Sequence, residues 1–165
     1  MADTEGFEEF YTATVGRLLG QLFPVTGDLH EAEEVVQETF ARASTRWSRI
    51  RDYDVPEAWV RRVAMNLAAD RFRRRRRQAA ALQRTGPLPS VPPVSVEALA
   101  LVHVLGTLPV HQRQAIVLHY LVDLSVEEVA DALDTSSGTV KSWLARGRRT
   151  LAARLGEPEE VGNTP

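Results

Sequence analysis

Apolar residues recur three and four positions apart along most of this chain, and nowhere do they alternate as they would in a strand. The first run, Phe7, Phe10, Tyr11, Val15, Leu18, Leu19 and Leu22, predicts a helix from about Thr4 to Phe23, broken by Pro24 and Gly27. Asp28 then stands as an N-cap, with Glu31, Glu33 and Glu34 where carboxylates favour a helix dipole. This second helix runs to about Trp47. Ala32, Val35, Val36, Phe40, Ala43 and Trp47 form its inward stripe, and Glu33, Glu34, Gln37, Glu38 and Arg42 its outward face. Residues 48–55 read as a loop, and Pro56 suits the first turn of a third helix. That helix buries Val60, Val63, Ala64, Leu67, Ala68 and Phe72. Trp59, Arg62, Asn66, Asp70 and Arg73 share a more polar face, and the helix ends in the run Arg73 to Arg77.

Four prolines and a glycine between Arg84 and Val94 rule out helix there. Beyond them, Leu99, Val102, Leu105 and Leu108 predict a helix stopped by Pro109, followed by one from about Val110 to Leu121 with Ile116, Val117, Tyr120 and Leu121 inward. Ser125 caps a short helix with Val126, Val129, Ala130 and Leu133 inside. Asp134 takes a left-handed turn, and Ser136 or Ser137 caps the last helix. The pattern therefore predicts an all-α chain of two small helical domains, 1–78 and 96–155. A flexible proline-rich linker at 79–95 joins them, and a disordered tail follows at 156–165. Extended, the stretch from Gln78 to Ser95 spans about 60 Å, so the domains are expected to be independent, with few contacts.

The net charge of −2 hides strong segregation. Residues 1–60 hold 5 basic and 12 acidic side chains, residues 61–84 hold 9 and 1, and residues 85–165 hold 6 and 9. A phosphate backbone responds to the local field, not the total. Cysteine is absent, which excludes disulfides and thiolate metal sites. His30, His103, His111 and His119 are scattered, so no metal or cofactor is expected. No nucleophile–base constellation, phosphate loop or dinucleotide fingerprint occurs, and no enzyme is expected. No apolar run spans a bilayer and the N-terminus is acidic, so the expected compartment is the cytoplasm.

The last helix carries the sharpest functional pattern. Val140, Leu144, Leu151 and Leu155 fall on one side, Ser142, Ala145 and Arg149 on the other, with Lys141, Arg146 and Arg148 at the flanks. Small residues at the centre permit close approach to a DNA groove, and cations at the edges meet phosphates. The arginine run alone fits any polyanion or a solvated surface. Asn66 suits either a local hydrogen bond or a base edge, and Trp59 either core or stacking. Ile50, Asp52 and Tyr53 suit either a cradle for an unstacked base or anchors for their loop.

Four segments together resemble the bacterial extracytoplasmic-function (ECF) sigma factors, small initiation subunits of RNA polymerase in the sigma-70 family. They are AEEVVQETFARA (Ala32 to Ala43), PEAWVRRVAMNLAADRFRRRRR (Pro56 to Arg77), LPVHQRQAIVLHYLVDLSVEEVADAL (Leu108 to Leu133) and SSGTVKSWLARGRRTL (Ser136 to Leu151). The resemblance implies a first domain that binds the polymerase clamp near Glu33, Glu34, Gln37 and Glu38. It implies capture of the melted −10 strand by Asn66, Trp59 and the loop holding Ile50, Asp52 and Tyr53. Arg62 and Arg73, Arg74 and Arg75 would hold phosphates. In the second domain it implies −35 readout by Thr139, Lys141, Ser142 and Ala145, with Arg146, Arg148 and Arg149 near phosphates. Implied partners are core polymerase at its clamp and flap, promoter DNA and an anti-sigma protein, with no membrane and no small-molecule substrate. Against the family pattern, Trp143 replaces an arginine, Asp134 a glycine and Gly147 an alanine. The last change is expected to loosen the helix by about 1 kcal/mol. A stand-alone helix-turn-helix regulator and a purely protein-binding adaptor are the competing readings.

Overall fold

The computed structural model describes residues 4–82 and 95–156, and among these every regular element is helical. The helices are α1 (Phe7–Thr26), α2 (Leu29–Thr45), α3 (Trp47–Ile50), α4 (Pro56–Leu82), α5 (Val96–Leu105), α6 (Val110–Ile116), α7 (Val126–Ala132) and α8 (Ser137–Leu155). A π-helical turn, Val117–Leu121, prolongs α6. The expected tail beyond Gly156, and the expected linker from residue 83 to 94, lie outside the described residues.

In the first half α1, α2 and α4 form a three-helix bundle around Leu18, Leu22, Val35, Val36, Phe40, Val60 and Met65. Phe7, Phe10, Tyr11, Phe40 and Trp47 make a chain of ring contacts that closes one end, and the Trp47 indole N–H donates to the Glu5 carbonyl at 3.0 Å. Three departures from expectation occur here, the first being that α2 stops at Thr45 and the short helix α3 takes Trp47–Ile50, residues read as a helix end and a loop. Helix α1 continues through Pro24 to Thr26 because Pro24 and Val25 are buried, and Gly27, left-handed at φ 74°, ends it with its N–H on the Phe23 carbonyl. Helix α4 runs to Leu82, four residues past the expected domain edge.

In the second half, Asp28's counterpart caps are Ser95, Ser125 and Ser136, each accepting from the N–H three residues on. Ser125 and Glu128 complete a reciprocal capping box. The π turn corrects the inward stripe of this region. The Val122 N–H bonds the Val117 carbonyl, five residues back, which adds one residue to the turn. Leu118 therefore faces the core, while Tyr120 and Leu121 are 48% and 53% exposed. At the far end of α8, Leu155 also lies outside, in contrast to its place in the expected stripe. Asp134 has the left-handed backbone that the sequence suggests (φ 52°), and Asp123 shares it (φ 62°).

The expected independence of the halves does not hold. Helix α1 packs on α5 and α6, and α4 packs on α6 and α7. At this seam two polar side chains are buried that periodicity gives no reason to place there, Arg113 and Gln114. Arg113 donates from Nε to the Leu105 carbonyl (3.0 Å), from Nη1 to Val25 (2.6 Å) and from Nη2 to Leu108 (2.9 Å). Gln114 donates from Nε2 to the Met65 carbonyl at 2.8 Å. Burial pushes the Arg113 pKa down from the ordinary arginine value. No carboxylate pairs with it among the described residues; backbone carbonyls and the Phe72 ring, 5.1 Å away, take the charge.

Gly147 also acquires a reason. It is buried where α8 crosses α6, and a Cβ there would lie 2.9 Å from Ile116 Cγ1. The close helix approach, not looseness, is what this glycine supplies. Two stability measurements test these packing claims. Arg113→Ala, which strands the Val25 and Leu108 carbonyls, should lower the unfolding free energy by about 3 kcal/mol in urea titration. Gly147→Ala should lower it by about 1 kcal/mol despite its better helix propensity, because overpacking outweighs that gain; a more stable variant would contradict the close approach.

Candidate nucleic-acid interface

Helices α7 and α8 meet through the four residues Leu133 to Ser136, and α8 lays Val140, Leu144 and Gly147 against the core. Its opposite side presents Lys141, Ser142, Arg146, Arg148 and Arg149 to solvent, with Ala145 half-buried between them. None of these four cations has a carboxylate partner among the described residues. Thr139 sits in the first turn of α8. It is half-buried, and its hydroxyl lies 2.9 Å from the capping Ser136 Oγ, so it serves the helix start. Trp143 stacks flat on His111, with centroids 5.0 Å apart and planes 10° from parallel. It buttresses α6.

The basic run of α4 is more divided than its sequence suggests. Arg75 donates to Glu31 at 2.6 Å. Arg71, which the sequence pattern does not single out, bonds Glu31 at 2.7 Å and also bonds Glu34. Glu31 is buried, so this knot ties α2 to α4. The hydrogen bond from Arg71 to Glu31 raises the arginine's pKa above its usual value. Arg73 is shared between Asp70 (3.1 Å) and His111 Nε2 (3.3 Å), while Arg74, Arg76 and Arg77 lack a carboxylate among the described residues. Arg75 thus belongs first to the fold, and Arg73 to the seam between the halves. Spacing could have shown the Glu31 link only if the crossing of α2 on α4 were known.

The expected polymerase-facing residues are likewise of two kinds. Glu33 and Gln37 are exposed. Glu34 meets His30 and Arg71, and Glu38 meets Arg42 at 2.7 Å. Asn66 is exposed in a cleft of about 180 Å³ whose walls include Glu38, Arg42, Asp70 and Arg74, so α2 and α4 present these groups together.

The loop after α3 separates its candidates. Ile50 is buried in the core at 1% exposure and anchors the loop; it cannot touch a base. Asp52 and Tyr53 are exposed. Tyr53, Trp59 and Arg62 line a groove of about 560 Å³ whose other wall is Leu124, Glu128 and Asp131 of the second half. Arg62 crosses it to Asp134 at 2.9 Å. Among the described residues no helix is long and apolar enough to cross a membrane, and no cluster of three His, Asp or Glu side chains has metal-binding geometry.

Comparison with known proteins finds two matched regions. Residues 10–78 match the Sigma-70 region 2 family and residues 98–151 match Sigma-70, region 4. The RNA polymerase sigma-E factor of Streptomyces coelicolor is 31% identical over 160 residues, covering 93% of this chain and 90% of that protein. The ECF RNA polymerase sigma factor SigW of Bacillus subtilis is 28% identical, with the same shares covered. The fold is also that of the sigma factor RpoE from Bartonella quintana, solved with the anti-sigma factor NepR. The TM-score is 0.76 and the identity 22%, over 91% of this chain and 96% of that one. CnrH, solved with the cytosolic domain of CnrY, gives a TM-score of 0.64 at 28% identity, over 92% and 88%.

The split within the arginine run is open to measurement. Glu31→Gln should lower the unfolding free energy by about 1–2 kcal/mol, because it leaves Arg71 and Arg75 short of a buried acceptor. Arg74→Ala should stay within about 0.5 kcal/mol of the parent. Urea titration of the three proteins compares them directly, and equal losses would refute the division.

Proposed function

This chain belongs to the sigma-70 family, as an ECF sigma factor that directs bacterial RNA polymerase to promoters, and from that premise we propose how its surfaces share the work. The second half reads the −35 element as duplex. Lys141, Ser142 and Ala145 face base edges from the middle of α8, and Arg146, Arg148 and Arg149 grip phosphates beside them. The supporting observation is the electrostatics of α8: four exposed cations on one helix, none neutralised by a carboxylate among the described residues. Counterion release makes such charges effective against a phosphate backbone.

The first half handles the −10 element after its strands part. A melted base needs a flat surface and an edge to bond, and Tyr53, Trp59, Asp52 and Asn66 supply aromatic and polar groups of those kinds. Arg62 and Arg74 meet the strand's phosphates, with Arg73 joining once it leaves Asp70 and His111. Engagement of Tyr53, Trp59 and Arg62 requires the groove against α7 to open, so Arg62 exchanges Asp134 for a phosphate. Glu33 and Gln37, with Glu34 and Glu38 beside them, form the clamp-facing patch of α2. The partners are core polymerase and promoter DNA in the bacterial cytoplasm. An anti-sigma protein is a further partner class, since two proteins of like fold were solved in complex, one with an anti-sigma factor and one with a cytosolic protein domain. No chemical step falls to this chain.

Pull-down with core polymerase, followed by transcription from a promoter library, tests the reading. Capture of core enzyme and initiation from a defined sequence class are expected. Duplex binding without core enzyme favours a stand-alone regulator, and core binding without initiation an adaptor. Within the selected promoters, Lys141→Ala should alter the −35 preference, whereas Arg149→Ala should weaken all sequences about equally and reduce the salt slope by about 1.

A further inference from the structure

Most arginines of this protein that make a side-chain contact across the surface do so with a carboxylate: Arg17 with Glu57, Arg42 with Glu38, Arg62 with Asp134, Arg75 with Glu31. Arg148 is different. Its Nη1 donates to the Tyr120 hydroxyl at 2.7 Å, and no carboxylate pairs with it among the described residues. A phenol orients a guanidinium without cancelling its charge. That combination suits a cation meant for a phosphate, because the charge stays free for the ligand while the side chain loses fewer rotamers on binding.

Tyr120 reaches this position by a particular route. It lies in the π turn Val117–Leu121, at 48% exposure, although regular α-helical register would carry it toward the core. The inserted residue turns the ring outward over α8. His119 holds it from behind: the two rings meet edge to face at 4.9 Å, and His119 Nδ1–H donates to the Leu124 carbonyl at 2.7 Å. His119 thus braces the turn beside the tyrosine, while Leu121 is left in solvent. The hydroxyl that accepts from Arg148 keeps its own proton, and that O–H is a second donor on the same edge of the helix.

We propose that Tyr120 is a positioning residue for promoter recognition: it presets Arg148 as a phosphate clamp at the edge of the −35-reading helix, and the π turn is the device that presents it. This rests on α8 being the duplex-facing helix. The positioning acts on affinity for every sequence, not on base preference, because the groups it serves are phosphates.

The test uses the full chain assembled with core polymerase on a promoter selected as above, with complex formation titrated against salt. Tyr120→Phe keeps the ring and its contact with His119 and removes only the hydroxyl. It should leave the thermal melt unchanged, weaken promoter binding roughly fivefold, and lower the slope of log affinity against log salt toward that of Arg148→Ala. In the Arg148→Ala background the same change should have little effect, since the phenol acts through the arginine. Promoter binding within twofold of the parent, or a Tyr120→Phe loss that adds in full to that of Arg148→Ala, overturns the proposal. If the parent protein itself selects no promoter, the fault lies instead with the reading of α8, so the two failures are distinguishable.

Discussion

A single buried guanidinium organises this protein. Arg113 sits where the C-terminal ends of α1 and α5 converge, and it donates to carbonyls that the helices themselves leave unpaired, Val25 in α1 and Leu105 in α5, with Leu108 just beyond. Helix C-termini carry partial negative charge, so two of them can hold one cation that has no carboxylate. Remove the cation and the Val25 and Leu108 carbonyls lose their partner, while Leu105 keeps only the Leu108 N–H. Add it, and the two halves of the chain are tied at the same atom group. Gln114, on the neighbouring position, repeats the link to α4 through Met65.

The rest of α6 depends on that anchorage. With the start of α6 held in the seam, its next turn meets α8 closely enough that a side chain at 147 would press on Ile116. The π turn then ends α6 with Tyr120 outward, beside Arg148. Helix α8 is thereby fixed on one side by packing, and its other side is left to cations. On the first half, Glu31 performs a comparable task at the surface of α4, drawing Arg71 and Arg75 inward and leaving Arg74 and Arg76 for solvent.

The docked halves also place the two regions proposed to meet DNA in contact with each other. Arg62 and Asp134 join the α4 face to the turn before α8, and Arg73 reaches His111, on which Trp143 is stacked. These are exposed polar contacts, individually weak. The buried Arg113 and Gln114 bonds are of a stronger kind, because the backbone groups they satisfy have no water to turn to.

Much of this architecture is legible from residue order. Helical periodicity locates every long helix, serines and Asp28 mark the helix starts, and the left-handed Asp134 follows from its place between two apolar stripes. The apolar and cationic sides of α8 separate on a wheel, because side-chain direction in a regular helix is a local property. Contacts between helices distant in sequence are not legible. Nothing local tells that Arg113 points into a seam, that Ile50 is core, that Arg75 has a buried carboxylate across the bundle, or that an extra residue in a π turn rotates Tyr120 out. Those outcomes depend on which carbonyl, carboxylate or methyl group another helix brings within about 3 Å, and only the packed chain sets those distances.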